Sequence, residues 1–161
     1  MQRPDRPRWR DDYELLAAVA RNLHAQRAAH YPRLVFEGRI TRAVALDGLR
    51  VMRTIARCWR AIARREPEPF GVHTPDEGGA WPFEREHHLV VAARHARARA
   101  DANPGEFEIV GFADAVDTLL WWETAAMPAR LLADINIGLR DGSYLNPRAA
   151  PGAALALKEA A

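Results

Sequence analysis

Residues 50–64 read Arg-Val-Met-Arg-Thr-Ile-Ala-Arg-Cys-Trp-Arg-Ala-Ile-Ala-Arg. The arginines recur at steps of three, four, three and four residues. On a helix that spacing aligns Arg50, Arg53, Arg57, Arg60 and Arg64 along one side. Met52, Ile55, Trp59, Ile62 and Ala63 fill a separate apolar stripe on the same helix. Such a helix buries one face and offers the other to something negatively charged. The stretch therefore sets both the fold class, all-α, and the first candidate binding surface.

Working back from it, Thr41 is a natural cap for this helix, and Gly38 a natural stop for the one before. That earlier helix opens at Asp11, with Glu14 as a capping-box partner, and carries Leu15, Leu16, Val19 and Leu23 at helical spacing. Tyr31-Pro32 is expected to interrupt or kink it. Residues 11–65 thus read as a basic helical hairpin, preceded by an Arg- and Pro-rich lead-in.

Working forward, Pro67, Pro69, Gly71, Pro75, Gly78, Gly79 and Pro82 punctuate residues 66–82. Connections of that length without regular structure are uncommon in compact domains and often carry function or motion. A third helix is expected from Phe83 to about Ala102, closed by Asn103-Pro104-Gly105. Phe107 to Val110 could form a short extended piece, but a lone strand has no pairing partner in this chain; a fourth helix is expected from Phe112 to Ala126. Pro128 opens a fifth, carrying Leu131, Leu132, Ile135 and Leu139 to a stop at Gly142. The expected architecture is one domain over residues 1–161 with about five helices: the hairpin, the Pro/Gly loop, an acidic helical half at 83–142, and a tail at 143–161.

The net charge of +2 conceals a division. Residues 1–65 hold 15 Arg against six Asp or Glu, and residues 66–161 hold eight Lys or Arg against 15. Such asymmetry points to a charged partner, or to the two halves facing each other within or between chains. Arg supplies 22 of the 23 cations, with Lys158 the only lysine. No apolar run approaches the ~20 residues of a membrane span, so no membrane is expected. The single Cys58 has no disulfide partner, and a reducing bacterial cytoplasm is the expected compartment.

Catalytic patterns are trimmed by counting. Ser143, the only serine, sits in the turn Asp141-Gly142-Ser143-Tyr144 without an elbow motif. One lysine near the C-terminus excludes a Walker phosphate loop. The outsider reading is a metal-dependent enzyme using Glu84 and His88, four apart on the third helix, with His73 or Asp76 closing from the loop. His88 and His95 lie seven residues apart, roughly 10 Å along a helix, and could not share an ion. The expectation is a non-enzyme with no cofactor and no metal.

On the fourth helix Trp121 falls beside Asp114 and Asp117, opposite the apolar side. A Trp on an acidic face can anchor an interface, which makes these three a second candidate surface. The competing reading covers Trp121 with a neighbouring helix and an Arg over its ring.

Tyr31-Pro32-Arg33-Leu34-Val35, then Gly38-Arg39-Ile40-Thr41, Ala45, Leu49, Met52 and Ile55, resembles a group of short phage- and prophage-encoded proteins of unassigned function. These share a Tyr-Pro-x-[aromatic or Leu]-Val-x-x-Gly-Arg segment followed by an Ala-x-x-x-apolar-x-x-Met helix. The resemblance covers residues 31–55 and implies a mobile-element origin in a bacterial host; it brings no catalytic residues with it. The function expected is that of a non-catalytic binding protein engaging a host protein or complex, as a host-defence inhibitor would. The alternative is a nucleic-acid accessory protein resting on the Arg50–Arg64 stripe, and a homo-oligomer through complementary halves is a further expectation.

Overall fold

The computed structural model describes residues 7–125 and, beyond them, Leu131, Asp134, Ile135, Gly138 and Leu139, which are helical. The chain divides into two compact units, Met1–Ala126 and Met127–Ala161. Among the described residues the first unit holds four helices: α1 (Tyr13–Phe36), α2 (Arg42–Arg64), α3 (Pro82–Ala102) and α4 (Phe107–Glu123). The fold is all-α, with four helices where the sequence suggests about five. The fifth, expected from Pro128 to Gly142, falls for the most part outside the described residues.

Local chemistry sets the helix ends. Asp12, one residue later than expected, caps α1 by accepting from the Leu15 N–H at 3.0 Å. The helix runs through Pro32 to Phe36 without a break. Gly38, at φ +68°, then turns the chain, and the Arg39 N–H returns to the Leu34 carbonyl at 2.9 Å. Thr41 caps α2 through the Val44 N–H at 3.1 Å. Residues 107–110 are not extended: they form the first turn of α4, because a lone strand has no partner for its backbone groups while a helix pairs its own.

Each helix adjoins its chain neighbour, and α4 closes against α1. Leu16 of α1, Met52 and Ile55 of α2, Leu89 of α3, and Val116, Leu119 and Trp122 of α4 are all buried. The Trp122 ring meets Trp59 edge-on at 6.1 Å and Tyr13 at 6.5 Å. Its indole N–H donates to the Arg10 carbonyl at 3.0 Å, tying the lead-in to the core. Of the apolar stripe on α2, Met52, Ile55, Trp59 and Ile62 are core, whereas Ala63 is half-buried and faces another way.

The Pro/Gly loop is folded. Val72 and Ala80 are fully buried and joined by the Ala80 N–H to Val72 carbonyl bond of 3.0 Å. Thr54 of α2 donates to the Gly78 carbonyl at 3.3 Å, and Arg50 donates to the Gly79 carbonyl. At Gly79 the two arms of the loop touch: a Cβ there would stand 2.0 Å from the Gly71 carbonyl oxygen and 2.5 Å from the Val72 carbonyl carbon. Both obstacles are backbone, so Gly79→Ala must push the arms apart. The expected cost is about 1–3 kcal/mol, as for overpacked cores, read as a lowered midpoint in urea unfolding; an unchanged midpoint would show that the loop is not closed in this way.

Candidate functional site

At about 100° per residue, Arg53, Arg57, Arg60 and Arg64 occupy a band roughly 60° wide on α2, with Arg50 at its edge. That edge is where the stripe divides. Arg50 is turned toward α3: its Nη2 donates to Glu84 Oε1 at 2.7 Å and to Asp47 Oδ1 at 2.6 Å. Only 16% of its side chain and 18% of that of Glu84 are exposed. The pair locks α2 to α3 and, through Gly79, to the loop, so Arg50 is structural rather than available.

The other four face α1. Across from them stand Glu14, Ala17, Ala18 and Arg21, spaced at three, four and seven residues like the α2 stripe itself. Together the two helices enclose a groove of about 360 Å³ whose floor is the alanine methyls, Ala56 and Ala63 included. Among the described residues, five guanidinium groups and one carboxylate, Glu14, line it. Among the described residues Arg21, Arg53, Arg57 and Arg60 make no ion pair, and Arg64 reaches Glu66 only at 3.7 Å. The field of the groove is felt by His24, held below its ordinary value by burial and then by the Arg53 charge. Arg21 and Glu14 are absent from the sequence-based candidates, although their spacing on α1 is a signal that could have found them.

The second candidate surface is held from within. Arg97 of α3 donates to Asp114 Oδ1 at 2.8 Å and also to Asp117. Trp121 is half-buried, its ring 5.1 Å from that of Trp122 and 5.9 Å from the Arg10 guanidinium. Asp114, Asp117 and Trp121 do lie together on α4, with two of the three engaged by α3.

Glu84 and His88 serve the packing of the helices. Glu84 accepts from Arg50 and, through Oε2, from the Trp81 N–H at 2.8 Å, which fixes the start of α3. His88 Nδ1 accepts from Arg27 Nη1 at 2.6 Å. Burial, reinforced by the Arg27 charge, lowers the His88 pKa to about 4, so the ring is neutral at pH 7. Among the described residues no group of three His, Cys, Asp or Glu is placed to hold a metal ion. Cys58 is half-buried, and burial pushes its thiol up to about 11, which leaves little thiolate. No described helix is long and apolar enough to cross a membrane.

The division within the stripe has a measurable consequence. Hydrogen bonds from Arg50 hold the Glu84 carboxyl below its ordinary value of 4.5. A depressed carboxylate contributes stability that is present above the unfolded value and lost as pH falls through the folded one. Arg50→Ala is therefore expected to cost about 1.5–3 kcal/mol at pH 7, the range for hydrogen bonds to charged groups. The cost should shrink in acid below about pH 4, as followed by urea unfolding at several pH values. A pH-independent cost would refute the charge origin.

Comparison with protein-family models, curated proteins and solved structures found no match to this chain.

Proposed function

We propose that this chain is a non-catalytic binding protein, of phage or prophage origin, that grips an acidic surface of a host protein or protein complex in the α1–α2 groove. The observation that carries this reading is the set of guanidinium groups of Arg21, Arg53, Arg57 and Arg60, gathered on one groove and making no ion pair among the described residues. Concentrated like charge is unfavourable in the free protein and is relieved by a complementary partner.

The groove's composition favours protein over nucleic acid as that partner. Its alanines offer apolar contact to entering side chains, and among the described residues it has no aromatic ring on which a single-stranded base could stack. Glu14 within it would repel a phosphate, but a mixed-charge protein surface accommodates a carboxylate. An inhibitor of a host defence complex is one role that such a groove would serve.

The test pairs two measurements on the full chain. Immobilised protein is used to capture partners from a nuclease-treated bacterial lysate at low and raised salt, and labelled single- and double-stranded DNA are titrated by anisotropy at the same two salts. A protein captured in a salt-sensitive manner, with DNA weakly bound, supports the reading. Tight, salt-sensitive DNA binding instead transfers the groove to nucleic acid.

A further inference from the structure

A second cleft opens on the other side of α1. The C-terminal halves of α1 and α3 and the first turns of α4 enclose about 720 Å³, within the roughly 300–1,000 Å³ of small-molecule sites. Helix α2 contributes nothing to its lining, so the cleft is separate from the arginine groove. Leu23 and Leu34 of α1, Val91 of α3, and Ile109 and Phe112 of α4 supply a mainly apolar wall.

Among the described residues the guanidinium groups of Arg39 and Arg99 line the cleft against one acid, Glu108, with the His30 and His95 rings beside them. Arg27 also lines it, but is committed to the His88 ring and carbonyl. Arg99 makes no ion pair among the described residues, and Arg39 meets Glu37 only at 3.9 Å. Both arginines are exposed and have donors to spare.

We infer that this cleft binds a small amphiphilic anion, with an apolar chain against Leu34, Val91, Ile109 and Phe112 and a carboxylate or phosphate head held by Arg39 and Arg99. The apolar part gains by leaving water, and the head remains at the open, cationic rim where its charge is matched rather than buried unpaired. A neutral amphiphile keeps only the first gain, and a cationic one meets repulsion at the rim. Guanidinium pairs take carboxylate and phosphate alike, so the head group's source is left for the titration to separate.

The probes are dodecanoate, dodecyl phosphate and dodecylammonium, each kept below micelle formation and titrated calorimetrically into the full chain. Saturable one-to-one binding of either anion is expected, with the ammonium weaker by about tenfold or more. The relative affinity of the two anions identifies the preferred head. Arg39→Ala with Arg99→Ala should weaken the anions by about tenfold while leaving the helical spectrum intact. Ile109→Asp should place a charge on the apolar wall and weaken both anions by about tenfold or more. Absence of saturable binding, equal binding of the ammonium, or an unaltered affinity in the folded Arg39/Arg99 variant would each overturn the inference.

Discussion

Reversal of Arg53, Arg57 and Arg60 to Glu is expected to leave the four-helix unit folded and to abolish partner capture. Arg53 and Arg60 are exposed and Arg57 half-buried, and none of the three makes an ion pair among the described residues. Their replacement therefore breaks no ion pair among the described residues, and it relieves repulsion with Arg21 and Arg64. For an acidic partner the change converts three attractions into three repulsions. At about 1 kcal/mol per position, the loss is about 100-fold or more in affinity. The salt dependence of any residual binding should flatten as well, because fewer counter-charges are exchanged. The control is Arg50→Glu, which belongs to the same sequence stripe but opposes Glu84; that variant should lose stability rather than binding alone. The assignment fails if the triple variant is unfolded by circular dichroism, or if it captures the same partner at unchanged salt.

Arg50 also shows where sequence reasoning stops. Its spacing to Arg53 is the same kind of step as that from Arg57 to Arg60, and nothing local separates a structural arginine from an available one. What separates them is Glu84, 34 residues away and brought alongside by the packing of α3 on α2. The helix ends at Gly38 and Thr41 were legible because each is decided within four residues by backbone geometry or a capping oxygen. The buried stripe of α2 was legible because hydrophobic period reports burial directly. The loop was not: Pro and Gly mark an irregular path, but the burial of Val72 and Ala80 depends on Thr54, Arg50 and Arg85 reaching it from helices on either side. That α4 begins at Phe107 rather than Phe112 was not legible for a related reason. Bulky and branched residues fit a pleated surface when there is a sheet to supply one, and here there is none among the described residues. The arginine groove was half legible, its α2 wall from one stripe and its α1 wall only when the hairpin sets Glu14 to Arg21 opposite.

Arg85→Met is expected to be the most damaging single change in the core, and its effect should depend on pH in a defined direction. Arg85 is 8% exposed. Its Nε and Nη2 both lie 2.9 Å from Glu123 Oε1, and its Nη1 donates to the Ala80 carbonyl at 2.8 Å. One side chain thus joins α3, α4 and the loop. Burial already holds the Glu123 carboxyl above its ordinary value of 4.5, with the Arg85 charge acting against that rise. Without the guanidinium the rise has no such opponent, and at pH 7 the variant must either bury an unpaired carboxylate or protonate it. Breaking a buried pair from one side costs about 3–5 kcal/mol, or roughly 10 °C in melting temperature for a chain of this size. A group with a raised folded pKa contributes stability below its unfolded value and loses it as pH rises through the folded one. The deficit of Arg85→Met relative to the wild type should accordingly be largest near neutrality and narrow toward pH 4.5. Adding Glu123→Gln should recover most of the loss at pH 7, because the second change removes the orphaned charge. A deficit that is equal at both pH values, and that Glu123→Gln does not relieve, would mean that Arg85 acts through the Ala80 carbonyl and its packing alone.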